Sequence, residues 1–204
     1  MGDILTRRRE LILASGSQPE WDIDWDYTMG LPTANGWTRT DSSGSNASQT
    51  LRDNDVRIYV KNSSYNLIYS AGTNNSVGAI EVDFAHTNNY GVLLLFFGDG
   101  ESSALGIRAQ YNANYKGIYL FDSSGVATMT KIQSISQNTY YKVRLVTDGT
   151  YGYVYVNDSL KANQVDLSTI STSNYQTRCT ITSTGSSNAN YTTIKSLRAK
   201  FGRI

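Results

Sequence analysis

Residues Tyr140–Asn157 read YYKVRLVTDGTYGYVYVN, and their alternation decides the fold. Val143, Leu145 and Thr147 fall on one face of an extended segment, with Lys142, Arg144 and Val146 on the other. A period of two marks a strand with one buried face. A second run, Tyr153–Asn157, places Tyr153, Tyr155 and Asn157 opposite Val154 and Val156. Asp148 and Gly149, followed by Gly152, supply residues that tolerate the positive φ of a tight turn. The stretch predicts a β-hairpin whose core seam is Val143, Leu145, Val154 and Val156.

Outward from this hairpin the chain repeats the same grammar. Strands are expected at 55–60, 65–70, 78–86, 91–97, 104–111, 117–121, 128–134, 176–183 and 191–201. Clusters such as Thr73-Asn74-Asn75, Gly98-Asp99-Gly100 and Asp122-Ser123-Ser124-Gly125 separate them. Short strands with turns at this spacing predict an all-β sandwich or jelly roll. Leu93-Leu94-Leu95-Phe96-Phe97 is apolar on both faces, which predicts a central strand covered on both sides. Residues 41–49, DSSGSNASQ, read as a polar loop.

Composition agrees with a single large β-domain. The chain has 204 residues, enough to bury about 70% of its unfolded surface. Charged residues make up only 17% of it, and Ser, Thr and Asn, about 30% by count, cover the surface instead. A net charge of +1 without clustered Lys or Arg excludes a nucleic-acid footprint. No run approaches the ~20 apolar residues of a membrane span. The single cysteine, Cys179 in QTRCTIT, cannot form an internal disulfide and reads as a small strand residue.

Before the first strand lies the one helical window, Asp3–Ala14, DILTRRRELILA. Ile4, Leu5, Arg8, Leu11 and Ile12 form its stripe, Asp3 caps it and Gly16 stops it. About 12 residues of helix are marginal alone, so the segment is expected to dock as an assembly arm. The predicted division is residues 1–18 as arm and 19–204 as sandwich. The start MGDILT fits a loose acylation pattern, and Arg7-Arg8-Arg9 precedes an apolar run too short for a signal peptide. No secretion signal is expected, and the five N-x-[ST] sequons are those a chain rich in Asn, Ser and Thr produces by chance. Beyond the arm, Trp21, Ile23, Trp25 and Tyr27 alternate with Asp22, Asp24 and Asp26, and the three carboxylates read as an exposed strand face.

Three segments together carry a resemblance: LPTANGWTRT (Leu31–Thr40), VGAIEVDFAHT followed by YGVLLLFFGDG, and NTYYKVRLVTDGTYGYVYVND. They resemble the concanavalin A-like lectin/glucanase superfamily in its laminin-G-like form, over residues 20–204. That resemblance implies a two-sheet antiparallel jelly-roll sandwich with the short N-terminal helix outside it. MGDILTRRRELILASG and SLRAKFGRI are similar to the ends of small structural proteins of phages and prophages. This second likeness implies a tail, baseplate or head appendage, located in the virion or in the bacterial cytoplasm before assembly. Other virion proteins, a cell-surface polysaccharide and further copies of the chain are the partners it implies.

Glycosidases of this superfamily carry carboxylates as E-x-D-x-E or E-x-D-x-x-E along one strand. Retaining enzymes use two carboxyls about 5–5.5 Å apart. Glu81 and Asp83 match the first two, but Ala85 and His86 stand where the third acid belongs. The chain is therefore expected to be non-enzymatic, with Glu81 and Asp83 on a solvated face. His86, the only histidine, reads as a surface loop residue. No metal cluster is expected, although Asp99 and Glu101 in GDGES offer a rim Ca²⁺ site. Tyr111, Tyr115 and Tyr119, with Tyr153 and Tyr155, are the candidate ligand contacts, because tyrosines flanked by amides and carboxylates suit sugars. The competing reading is that the same rings pair across strands without any ligand. A lectin or carbohydrate-binding module unrelated to virions, and a glycoside hydrolase or lyase of the same fold, remain as alternatives.

Overall fold

The computed structural model describes residues 20–41, 44–71, 77–98, 104–121, 129–168, 176–185 and 189–201. The arm helix expected at residues 3–14 and the Asp99/Glu101 site lie outside them. Among the described residues, fifteen strands form two antiparallel sheets. They are β1 Ile23–Asp26, β2 Thr38–Asp41, β3 Ala47–Leu51, β4 Val56–Val60, β5 Asn66–Ser70, β6 Val77–His86, β7 Gly91–Gly98 and β8 Ala104–Tyr111. There follow β9 Lys116–Phe121, β10 Thr130–Ser134, β11 Tyr141–Thr147, β12 Tyr151–Val156, β13 Ser159–Asp166, β14 Gln176–Ser183 and β15 Asn190–Phe201.

Sheet I runs β13-β12-β11-β6-β15-β4-β3, with β1 also paired to β15. Sheet II runs β10-β9-β8-β7-β14-β5-β2. The two stack face to face over one apolar core. The hairpin that opened the sequence reading is β11–β12, with Val143 opposite Val156 and Leu145 opposite Val154. All four of these side chains are buried in the core, as their alternation predicts. Asp148 Oδ1 accepts the N–H groups of Thr150 and Tyr151 at 2.8 and 2.7 Å, which locks the turn. The doubly apolar run is β7, an interior strand of sheet II. Its Leu93 and Leu95 face the core, while Val92, Leu94 and Phe96 form a second apolar cluster with Phe121.

Two strands escape the sequence reading. Part of the polar loop expected at 41–49 is strand: β2 extends to Asp41 and β3 begins at Ala47. β13 follows a two-residue turn, Asn157-Asp158, in which both residues have positive φ (49° and 62°). That is the primed geometry that matches strand twist. Both β3 and β13 are edge strands, largely exposed, so neither needs an apolar alternation to fold.

Asp22 and Asp24 are exposed, as expected, and Asp26 is half-buried; all three are also bonded. Asp24 accepts from Arg198 at 2.6 Å, Asp22 takes the backbone N–H of Phe201 at 2.7 Å and Lys200 at 3.1 Å, and Asp26 caps a 3-10 turn through Thr28 N–H. Two of the three thus fasten β1 to β15.

Candidate ligand-binding site

The five candidate tyrosines separate into two places. Tyr111, Tyr115 and Tyr119 surround the β8–β9 connection at one end of sheet II. Tyr115 is 45% exposed and meets Tyr119 edge-on at 5.9 Å between ring centroids. Tyr111 is half-buried against the core, with Lys116 Nζ 5.7 Å from its ring centroid. Burial and the neighbouring Tyr115 raise the Tyr119 phenol, so this end presents hydroxyls rather than phenolates. Tyr153 and Tyr155 lie elsewhere, on the outer face of sheet I, and are buried with Ala79 and Val146. The Arg144 guanidinium stacks over the Tyr155 ring at 4.8 Å. Tyr153 and Tyr155 are thus enclosed by their neighbours, as is Tyr119 at 8% exposure, and of the five rings Tyr115 alone is exposed.

Glu81 and Asp83 point from β6 onto that same outer face, opposite Arg144 and Lys142 on β11 and Arg198 and Ser196 on β15. The expected solvated face is corrected here. Glu81 has no exposed surface; Arg198 Nη1 donates to it at 3.0 Å and Arg144 Nη1 lies 3.9 Å away. Arg144 is itself buried. Burial raises both carboxyls above the ordinary range, and the surrounding arginines and lysines only partly offset it. The face closed because long charged side chains lie flat and cover one another, which alternation alone cannot report.

His86 is also corrected. It is buried, and its ring spans the two sheets, with Nδ1 2.9 Å from Thr192 Oγ1 on β15 and Nε2 3.1 Å from the Ala109 carbonyl on β8. A carbonyl can only accept, so Nε2 carries the proton and Nδ1 accepts from the Thr192 hydroxyl. Burial pushes its pKa down to about 4, keeping it neutral. The ring fits because β7 starts with Gly91, where a Cβ would overlap it. Both ring nitrogens of His86 are thus bonded inside the sandwich.

A cavity of about 160 Å³ lies beside Ala85, lined by Arg52, Asp55, Thr87, Asn138, Tyr140 and Thr193. Asp55 is 6% exposed. Arg52 grips it with Nε and Nη2, each at 2.7 Å, and the Tyr140 hydroxyl donates to it at 2.7 Å. Tyr140 Oη is also 3.1 Å from Thr193 Oγ1, and Lys195 Nζ sits 4.0 Å over the Tyr140 ring. Burial alone would raise the Asp55 carboxyl, but the Arg52 and Tyr140 hydrogen bonds outweigh it and hold the group below its usual value. Burial pushes the Tyr140 phenol up to about 12. A second cavity, about 290 Å³, shares Arg52 and Asp55 and continues along Asp53 and Asn54.

Sequence reasoning missed this constellation. Its members come from the β3–β4 turn, the end of β6, the β10–β11 connection and β15, and nothing in their spacing links them. One signal was present: Ala85 is the small residue in a row of carboxylates on β6, and the cavity occupies the room it leaves. Among the described residues, no three His, Cys, Asp or Glu side chains are grouped to hold a metal.

No family model matches the chain, and no curated protein matches it in sequence. Solved structures do match in fold. The carbohydrate recognition domain of Emp46p, in metal-free form, superposes with a TM-score of 0.60 at 11% identity, over 91% of this chain and 100% of that one. The Crh5 transglycosylase in complex with NAG gives 0.63 at 10% identity, over 91% and 88%. A carbohydrate esterase of the Shiga toxin-encoding bacteriophage phi24B gives 0.58 at 12%, over 90% and 99%. A sialidase matches with 0.62 at 13% identity, and this chain spans only 19% of its length. At such identities the likeness defines the fold: a concanavalin-like jelly-roll sandwich, shared by lectin domains and carbohydrate-active enzymes.

Proposed function

We propose that this chain is a non-enzymatic structural or appendage protein of a phage-type virion, with a laminin-G-like sandwich that binds host-surface glycans. Its arm, residues 1–18, docks to the particle through Ile4, Leu5, Arg8, Leu11 and Ile12. The observation that carries the glycan reading is the exposed Tyr115 ring, set edge-on to Tyr119 beside Tyr111 and Lys116. Aromatic faces stack on sugar C–H groups while neighbouring phenols and amides bond hydroxyls. The full-length likeness to a carbohydrate recognition domain supports the same class of ligand, and the phage esterase supports the setting.

The carboxylates support the non-enzymatic half of the reading. A glycosidase needs one acid free to protonate a leaving group. Glu81 is enclosed by two arginines, Ala85 carries no acid and Asp55 is held ionised by Arg52, so Asp83, whose carboxyl burial raises, has no second free carboxyl on its strand to work with. A glycan array against the full chain tests the proposal. We expect a signal that Tyr115→Ala reduces at least tenfold, and no turnover of any array polysaccharide. Turnover abolished by Glu81→Gln would instead make the chain an enzyme. Deleting residues 1–17 is expected to leave the sandwich folded and to abolish particle attachment.

A further inference from the structure

We propose that the cavity beside Ala85 is a seat for one uncharged pyranose unit at the end of a glycan, with the next unit lying along Asp53 and Asn54. This deepens the glycan-binding reading and rests on it, but it uses a different surface from the tyrosines of β8–β9. The two cavities share Arg52 and Asp55 and measure about 160 and 290 Å³, the larger close to the lower end of the range of about 300–1,000 Å³ typical of ligand pockets. The smaller one holds about five liquid-water volumes, a volume of the order displaced by a single ring.

The chemistry of the wall selects the ligand. A carboxylate has about four acceptor positions. Arg52 and Tyr140 fill three on Asp55, which leaves one for an incoming hydroxyl. The Thr87 hydroxyl already donates to the Tyr191 carbonyl at 2.8 Å and the Thr193 hydroxyl is bonded to Tyr140 and the Ala85 carbonyl, so the exposed Asn138 amide is the group that adds a donor and an acceptor around the same space. Asn138 is held in the left-handed region, φ 60°, by its own N–H bonded to the His86 carbonyl at 2.9 Å. A backbone held in that region places the amide at the rim at a cost the fold must offset. The planar Asn138 amide, a donor and an acceptor side by side, matches the adjacent hydroxyls of a sugar ring.

Charge excludes the acidic sugars. Arg52 is neutralised by Asp55, and Lys195 acts on both Asp55 and Asp83. Asp53 adds a further negative charge along the outer cavity. Among the described residues that line the cavity, Arg52 is the one cation, and Asp55 holds it. The match is to a neutral hexose or an N-acetylhexosamine.

The test is ligand-observed NMR and calorimetry on the full chain with glucose, galactose, mannose, N-acetylglucosamine, glucuronate and sialic acid. At least one neutral sugar is expected to bind, and the two acidic ones are not. Ala85→Leu fills the cavity and should abolish that binding; Tyr140→Phe keeps the shape, loses one hydroxyl, and should weaken it about three- to tenfold. Tyr115→Ala should leave monosaccharide binding within twofold. Thermal melts of each variant separate loss of the site from loss of the fold. Binding restricted to acidic sugars, or neutral-sugar binding indifferent to both Ala85→Leu and Tyr140→Phe, would overturn the proposal. Array signal lost in Tyr115→Ala but kept in Ala85→Leu would leave the tyrosine reading standing and remove this one. Absence of any carbohydrate binding would remove both.

Discussion

The outer faces of the two sheets are both closed, by opposite means. On sheet II, Val92, Leu94, Phe96 and Phe121 make an apolar cluster, each at most 3% exposed. Gly106 allows it, since a Cβ there would meet Phe96 Cβ at 2.6 Å and the Phe121 ring. On sheet I the corresponding ground is held by Glu81, Arg144 and Arg198 with Tyr155 beneath a guanidinium. The apolar seal itself offers only van der Waals contact, with Arg108, Gln110 and Tyr119 beside it on β8 and β9. The charged seal has directional groups at its margin, and there the Asp55 cavity opens.

The comparison can be broken first where the effect is largest. Phe96→Ala should destabilise by ~3–5 kcal/mol in urea unfolding, because it leaves a void between packed rings. A loss below ~1 kcal/mol would mean the sheet II face is open to solvent. Glu81→Ala should cost ~3 kcal/mol or more by stranding two arginines, whereas Glu81→Leu combined with Arg144→Met should recover most of it. If the single change is silent, the charged seal is ornamental.

Acid titration probes the contact between the sheets. His86 has a folded pKa of about 4 against an ordinary 6.5. The unfolded chain therefore binds the proton first, and stability falls as pH drops from about 6.5 toward 4. The total is ~3 kcal/mol at about 1.4 kcal/mol per pH unit. Above pH 6.5 this contribution is fully present. Unfolding midpoints measured from pH 4 to 8 should show the slope, and His86→Gln should flatten it. Smallest of all, Tyr115→Ala should change stability by no more than ~0.5 kcal/mol, since its ring is 45% exposed. A larger change would make Tyr115 a packing residue.

The sandwich was legible where one face of a strand is buried. Val143, Leu145, Val154 and Val156 announced their seam, and the run Leu93–Phe97 announced an interior strand, because burial writes a period into the chain. Edge strands β3 and β13 were silent, since an exposed strand can be polar on both sides. The sequence also could not show that Glu81 and His86 are buried. Their cover comes from Arg198 and Thr192, more than a hundred residues away, and from Gly91 five residues on. The cavity was least legible, being assembled from turns whose meeting depends on the completed sheets. Of the tyrosines, Tyr115 is exposed while Tyr119, Tyr153 and Tyr155 are buried, a distinction set by neighbours on other strands.

One strand also governs how the molecule is made. β15 lies last among the described strands, yet it pairs with β6 along one side and with β4 and β1 along the other. Until it arrives, β6 and β4 present unpaired edges, and the Thr192, Thr193 and Arg198 partners of His86, Tyr140 and Glu81 are missing. Contacts of such sequence separation slow folding and leave strand edges open to other chains meanwhile. During synthesis, β7 to β10 of sheet II and β11 to β13 of sheet I can pair as they emerge, whereas joining β6 to β4 waits for β15. The nascent chain is thus a half-built sandwich whose sugar seat and buried charges come into being together, with the insertion of a single strand.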